Sequence, residues 1–117
     1  PGRRQRLGAR GEQLVAEWYA ARGYRIVARN WRCREGEIDL VVWSRRCDLV
    51  FCEVKTRSSA RFGVPAEAVT AAKQRRLRVL AARFLATHGP EVAGRRGLRF
   101  DVAAVTAGRV EVIEAAF

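Results

Sequence analysis

A chain of 117 residues suits one domain, spanning 1–117, around a single core. With 49% hydrophobic and 30% charged residues it is a globular sequence, not a disordered one. No apolar run reaches the length of a membrane span, and no apolar h-region follows the basic Pro1–Arg6 stretch, so the expectation is a cytoplasmic protein with no membrane partner.

The formal net charge is +11, from 23 Lys+Arg against 12 Asp+Glu, and an excess of that size favours a polyanionic partner, most often nucleic acid. Three cysteines without CxxC spacing and a single histidine, His88, argue against a zinc site and for reduced thiols. Only two of the basic residues, Lys55 and Lys73, are lysines. Where arginine is the default cation, a lysine hints at a position needing a compact, titratable ammonium.

Gln5 to Arg22 reads as a helix, with Leu7, Leu14, Val15 and Trp18 on one stripe and Gly23 as its stop. Glu12 lies three residues before Val15 and seven before Tyr19, which puts it at the border of that stripe. Tyr24–Arg29 reads as a strand, followed by a polar loop through Gly36. Ile38–Trp43 and Leu49–Thr56 are two further strands joined by the turn at residues 44–48. Residues 58–63 form a basic loop, and Pro65 suits the first turn of a long helix to about Thr87, with Val69, Leu77, Leu80, Ala81 and Phe84 on its apolar face. Lys73 falls at the N-terminal end of that face. Leu98–Thr106 and Arg109–Ala115 close the chain as a strand pair around Ala107-Gly108. The order α-β-β-β-α-β-β implies an α/β domain with one mixed central sheet flanked by helices.

The segment Leu49–Cys52 is apolar on both faces, yet Glu53 and Lys55 follow on one of them. A symmetric hairpin over the five-residue turn pairs Trp43 with Leu49, Val41 with Phe51 and Asp39 with Glu53. It also places Asp39, Val41 and Trp43 on one face of their strand and Ile38, Leu40 and Val42 on the other. Two carboxylates side by side in a partly buried sheet need compensation. A shared proton, the Lys55 ammonium or a bridging divalent cation could each supply it. Hard oxygen ligands without histidine or thiolate suit Mg²⁺ or Mn²⁺.

Asp39 followed by Glu53-Val54-Lys55 resembles the PD-(D/E)xK nuclease motif, with its leading Pro-Asp pair reduced to Ile38-Asp39. More specifically, the chain resembles the YraN family of small bacterial proteins, which are similar to archaeal Holliday-junction resolvases. The matching pieces are Gly8-Ala-Arg-Gly-Glu12, Gly23-Tyr24, Asn30, Gly36-Glu-Ile-Asp-Leu40, Val50-Phe-Cys-Glu-Val-Lys-Thr-Arg57, Phe62-Gly63, Lys73 and Arg99-Phe-Asp101, in order over nearly the whole chain.

The resemblance implies a restriction-endonuclease-like fold and a Mg²⁺-dependent endonuclease acting on DNA, including branched or structured DNA. It implies that Asp39, Glu53 and the carbonyl of Val54 ligate the ion. Lys55 would orient or deprotonate the attacking water, and Glu12 would reach a water on that ion or a second ion. Glu37, opposite Lys55 in the symmetric register, is the expected partner of that lysine. Arg57, Arg61 and Lys73 are the candidate phosphate contacts. Asp101 is read as the partner of a nearby arginine, not as a metal ligand. Arg75 and Arg76 are read as solvated charge, and the three tryptophans as core. A junction-cutting enzyme is expected to act as a homodimer, and the last strand is a candidate exposed edge. The competing reading is a nucleic-acid-binding module that keeps the fold and the positive surface without cutting by itself.

Overall fold

In the computed structural model, residues 3–57 and 69–117 are described, the first five of them by backbone alone. Helix α1 (Arg3–Ala21) leads into strands β1 (Arg25–Cys33), β2 (Gly36–Trp43) and β3 (Asp48–Arg57). Helix α2 (Ala71–His88) runs into a 3₁₀ turn at Gly89–Val92, and β4 (Gly97–Thr106) and β5 (Arg109–Ile113) follow. The strands form one mixed sheet in the order β1-β2-β3-β4-β5. Among the described residues, only β3 and β4 run parallel. A parallel pair needs a crossover, and α2 lies within that connection.

Each face of the sheet carries its own helix and its own core. Val15, Ala16 and Tyr19 of α1 pack on Leu40, Val42, Val50, Cys52, Ala103 and Val105. Leu77, Leu80, Ala81 and Phe84 of α2 pack on Ile38, Val41, Leu49, Phe51, Phe100 and Val102, with Val69 and Val92 closing the ends. The near-continuous apolar run of β3 is therefore explained by cover on both sides. Phe51 meets Phe84 edge-on at 5.8 Å and stacks with Phe100 at 5.6 Å, which fixes the strand in the core. The three tryptophans pack against these cores as expected, each partly buried.

The α-β-β-β-α-β-β order agrees with the sequence reading, but four details differ. Strand β1 continues to Cys33 where a polar loop from Asn30 was expected, because Trp31, Arg32 and Cys33 still pair with Ile38, Glu37 and Gly36. The second helix does not run unbroken from Pro65, which lies outside the described residues. Thr70 is extended (φ −68°, ψ 165°) and its hydroxyl accepts from the Lys73 amide, so it is the N-cap of a helix that starts at Ala71. Val69 is accordingly core, but not helix. The last strand ends at Ile113, two residues short, because the Ala115 amide turns back to donate to Asp101 Oδ1 at 3.0 Å. It lies at one edge of the sheet, as expected.

The fourth difference concerns pleating. Ile38 packs with the α2-side core while Leu40 and Val42 pack with the α1-side core, so alternation slips by one at Asp39. Strand β1 slips at the same height: Ala28 and Trp31 both face α2, while Arg29 and Asn30 both bond to α1. Asn30 sits in the left-handed region at φ 50°, which breaks the regular pleat there.

Candidate metal centre

The β2–β3 ladder pairs Trp43 with Leu49, Val42 with Val50, Val41 with Phe51 and Leu40 with Cys52, in the register read from the sequence. It stops before Asp39 and Glu53. In place of a backbone bond, the Val54 amide donates to Asp39 Oδ2 at 2.8 Å. The side chain of Asp39 thus takes over the ladder, and the pleat slip turns it toward α1.

There it meets Glu12. One carboxylate oxygen from each of Glu12, Glu37 and Asp39 lies within 4.8 Å of the others. Glu12 comes from α1, which approaches β3 closely at Gly11: a β-carbon at that position would collide with Thr56 Oγ1. Glycine permits this approach without any shift of Thr56, and the approach brings Glu12 to the sheet.

The crowding has an electrostatic consequence. Burial, and then the Glu53 carboxylate, push the Asp39 carboxyl up to about 7, against the opposing Val54 amide. Burial, and next Glu37, also raise Glu12, although hydrogen bonds with Asp39 and Asn30 work the other way. Carboxylates gathered so that a proton is retained near neutrality are a site at which a cation is favoured. The donors are hard oxygens with no thiolate or imidazole among them, a set that fits Mg²⁺ or Mn²⁺.

Glu53 contributes differently. Its Oε1 lies 3.2 Å from Lys55 Nζ, both side chains being largely buried. Lys73, from α2, has Lys55 as its neighbour, and this second lysine lowers the Lys73 pKa. Burial works against the charge of Lys55, but the Glu53 and Asp39 carboxylates outweigh it and hold its pKa above the ordinary value. A cleft of about 190 Å³ opens between the two charged sets. Glu37, Asp39 and Glu53 line one wall, Lys73 and Arg76 the other, and Gly36, Leu77 and Leu80 complete it.

Of the sequence-selected residues, Asp39, Glu53 and Lys73 line this cleft, while Lys55 and Glu12 stand directly behind it. Arg57 ends β3, half-buried and paired in register with Thr106, away from the cleft lining. Arg61 lies outside the described residues. Glu37 does not pair with Lys55. It joins the acidic cluster and meets Arg32 at 3.6 Å, because the ladder ends before the symmetric register can carry it to Lys55. Its place two residues before Asp39 on one strand was the available signal. Arg76, read as solvated charge, stands on the cleft wall one helical turn beyond Lys73. Asp101 binds Arg99, as expected.

No helix among the described residues is long and apolar enough to cross a membrane. Residues 11–105 match the family model described as "Uncharacterised protein family UPF0102". A UPF0102 protein of Frankia alni is 51% identical over 116 residues, covering 95% of this chain and 93% of the relative. One from Symbiobacterium thermophilum is 51% identical over 118 residues, covering 97% of each. One from Beutenbergia cavernae is 54% identical over 99 residues, covering 85% of this chain and 80% of the relative. The matched span takes in Glu12, Asn30, Asp39, Glu53, Lys55 and Lys73 together, and the chain belongs to the UPF0102 family.

Proposed function

We propose that this cleft is the phosphodiester-cleaving site of a Mg²⁺- or Mn²⁺-dependent endonuclease acting on DNA, on a restriction-endonuclease-like core of the YraN type. The observation that carries the reading is the opposition of charge across one cleft: three carboxylates on one wall, and Lys73 and Arg76 on the other. A phosphodiester is the ligand that needs both, a cation on one side and ammonium or guanidinium donors on the other.

Asp39 and Glu53, with the Val54 carbonyl, would hold the ion, and Glu12 and Glu37 would flank it. A cation so held supplies charge neutralisation at the phosphate and lowers the pKa of water. Lys55, kept charged by Glu53, orients the attacking water and stabilises charge developing on the phosphoryl oxygens. Its retained proton favours this electrostatic role over that of a base. Lys73 and Arg76, with Arg57 at the end of β3 and Arg61 beyond it, would contact phosphates on either side of the cut.

Cleavage of labelled linear, flapped and four-way DNA, measured as Mg²⁺ or Mn²⁺ is titrated, tests the reading. Wild type should cut at least one of these, and Asp39→Asn should lose on the order of a hundredfold or more while still binding DNA. DNA binding that weakens steeply with salt, without cleavage on any substrate, would assign a binding module instead.

A further inference from the structure

We propose that Asn30 is a positioning residue of the acidic site: its amide holds Glu12 and Glu37 together and turns Glu12 toward Asp39. The inference rests on the metal site proposed above.

Asn30 stands opposite Asp39 on the neighbouring strand, between the Arg29–Leu40 and Trp31–Ile38 pairs. Its amide nitrogen lies 2.9 Å from Glu37 Oε1 and 3.0 Å from both carboxylate oxygens of Glu12. The nitrogen is assigned to this side from the hydrogen-bond network, since the reverse orientation sets a carbonyl oxygen against three carboxylate oxygens. One N–H can then serve Glu37 while the other is shared by the two oxygens of Glu12.

A side-chain amide suits the task better than a cation would. It donates to two carboxylates without neutralising them, and so without competing for a divalent ion. It also joins two elements far apart in sequence, the helix that carries Glu12 and the strand that carries Glu37 and Asp39. Partners of this kind, which orient ligands without touching the ion, typically change metal affinity by about 10- to 100-fold when removed.

A structural reading competes, because asparagine is one of the few non-glycine residues that tolerate φ 50°. The two roles separate in Asn30→Gly. Glycine accepts the left-handed backbone but has no amide to donate. Mn²⁺ binding followed by titration calorimetry, with thermal melting of the metal-free proteins beside it, reads both. The expected result for Asn30→Gly is a near-native melting temperature with Mn²⁺ affinity about tenfold lower or more. In a Glu12→Gln background the same change should have a smaller further effect, since the amide then acts through Glu37 alone. Unchanged Mn²⁺ affinity in Asn30→Gly overturns the proposal. So does a glycine variant that fails to fold, because the side chain would then serve the fold itself. Wild type and Asp39→Asn that take up Mn²⁺ equally would instead overturn the metal site on which the proposal rests.

Discussion

Two aspartates, the half-buried Asp39 and the fully buried Asp101, stand at different places in one sheet and are treated in opposite ways. Asp101 is fully buried and satisfied from all sides by the protein's own donors. Tyr19 donates from α1 at 2.6 Å, Arg99 grips both oxygens at 2.9 and 2.8 Å, and the Ala115 amide adds a fourth bond at 3.0 Å. Asp39 receives one backbone N–H and is otherwise ringed by Glu12, Glu37 and Glu53. The fold can evidently neutralise a carboxylate completely where structure requires it. Among the described residues, the shortage of donors around Asp39 is therefore informative, because it favours a retained proton or a bound cation there.

The largest change expected from breaking this comparison is at Asp101. Asp101→Asn leaves the largely buried Arg99 with the more distant, exposed Glu114 as its counter-charge, and urea unfolding should show a loss of about 3 kcal/mol. Mn²⁺ binding by the folded fraction should be unaffected. A stable Asp101→Asn protein would show that the two sites differ less than their geometry says.

A smaller effect is expected from Gly11→Ala. The added methyl meets Thr56 Oγ1, so either the Thr56 side chain turns or α1 moves away from β3, and the expected cost if α1 moves is about 1–3 kcal/mol by the same measurement. Displacement of Glu12 should weaken Mn²⁺ binding at the same time. Thr56→Ala in the same chain removes the colliding oxygen and should restore both, and if it restores neither, the close approach is not what places Glu12.

The last effect is a pH dependence. Asp39 has a folded pKa of about 7 against an ordinary 3.8, so between these values the metal-free folded protein holds a proton that the unfolded chain has released. Its contribution to stability therefore falls as pH rises from about 4 to about 7. Asp39→Asn carries no such penalty, and its melting temperature should gain on wild type across that window. Saturating Mn²⁺ should reverse the order by stabilising only the wild type. An Asp39→Asn curve parallel to the wild type at every pH would mean that Asp39 is no more crowded than an ordinary carboxylate.

Much of this was legible before the structure. Helical and two-residue periodicities gave the element order, and the apolar matches Trp43–Leu49 and Val41–Phe51 gave the hairpin register. Helical spacing set Glu12 at the edge of the α1 stripe, the family resemblance implied its place at the site, and Asp101 was read as an arginine partner. What alternation could not show was its own interruption. The slip at Asn30 and Asp39 depends on a left-handed non-glycine residue and on a side chain standing in for a backbone acceptor, and neither leaves a mark on a hydrophobic pattern. The same slip misplaced Ile38 and gave Glu37 the wrong partner. The early start given to α2 came from Pro65, a good first-turn residue, whereas Thr70 holds the cap. Arg76 was missed because arginine is so common here that one useful guanidinium looks like all the others.

Helix α1 is a ruler with a mark for each aspartate. Glu12 and Tyr19 are separated by two turns, roughly 10 Å along the axis, and reach Asp39 and Asp101 respectively. Lys73 arrives from the other face of the sheet, on α2. No hairpin, and no helix docked on one side only, can gather these groups. A nascent or half-folded chain has the charges but not the site, so the chemistry proposed for the cleft is withheld until both layers have closed on the sheet.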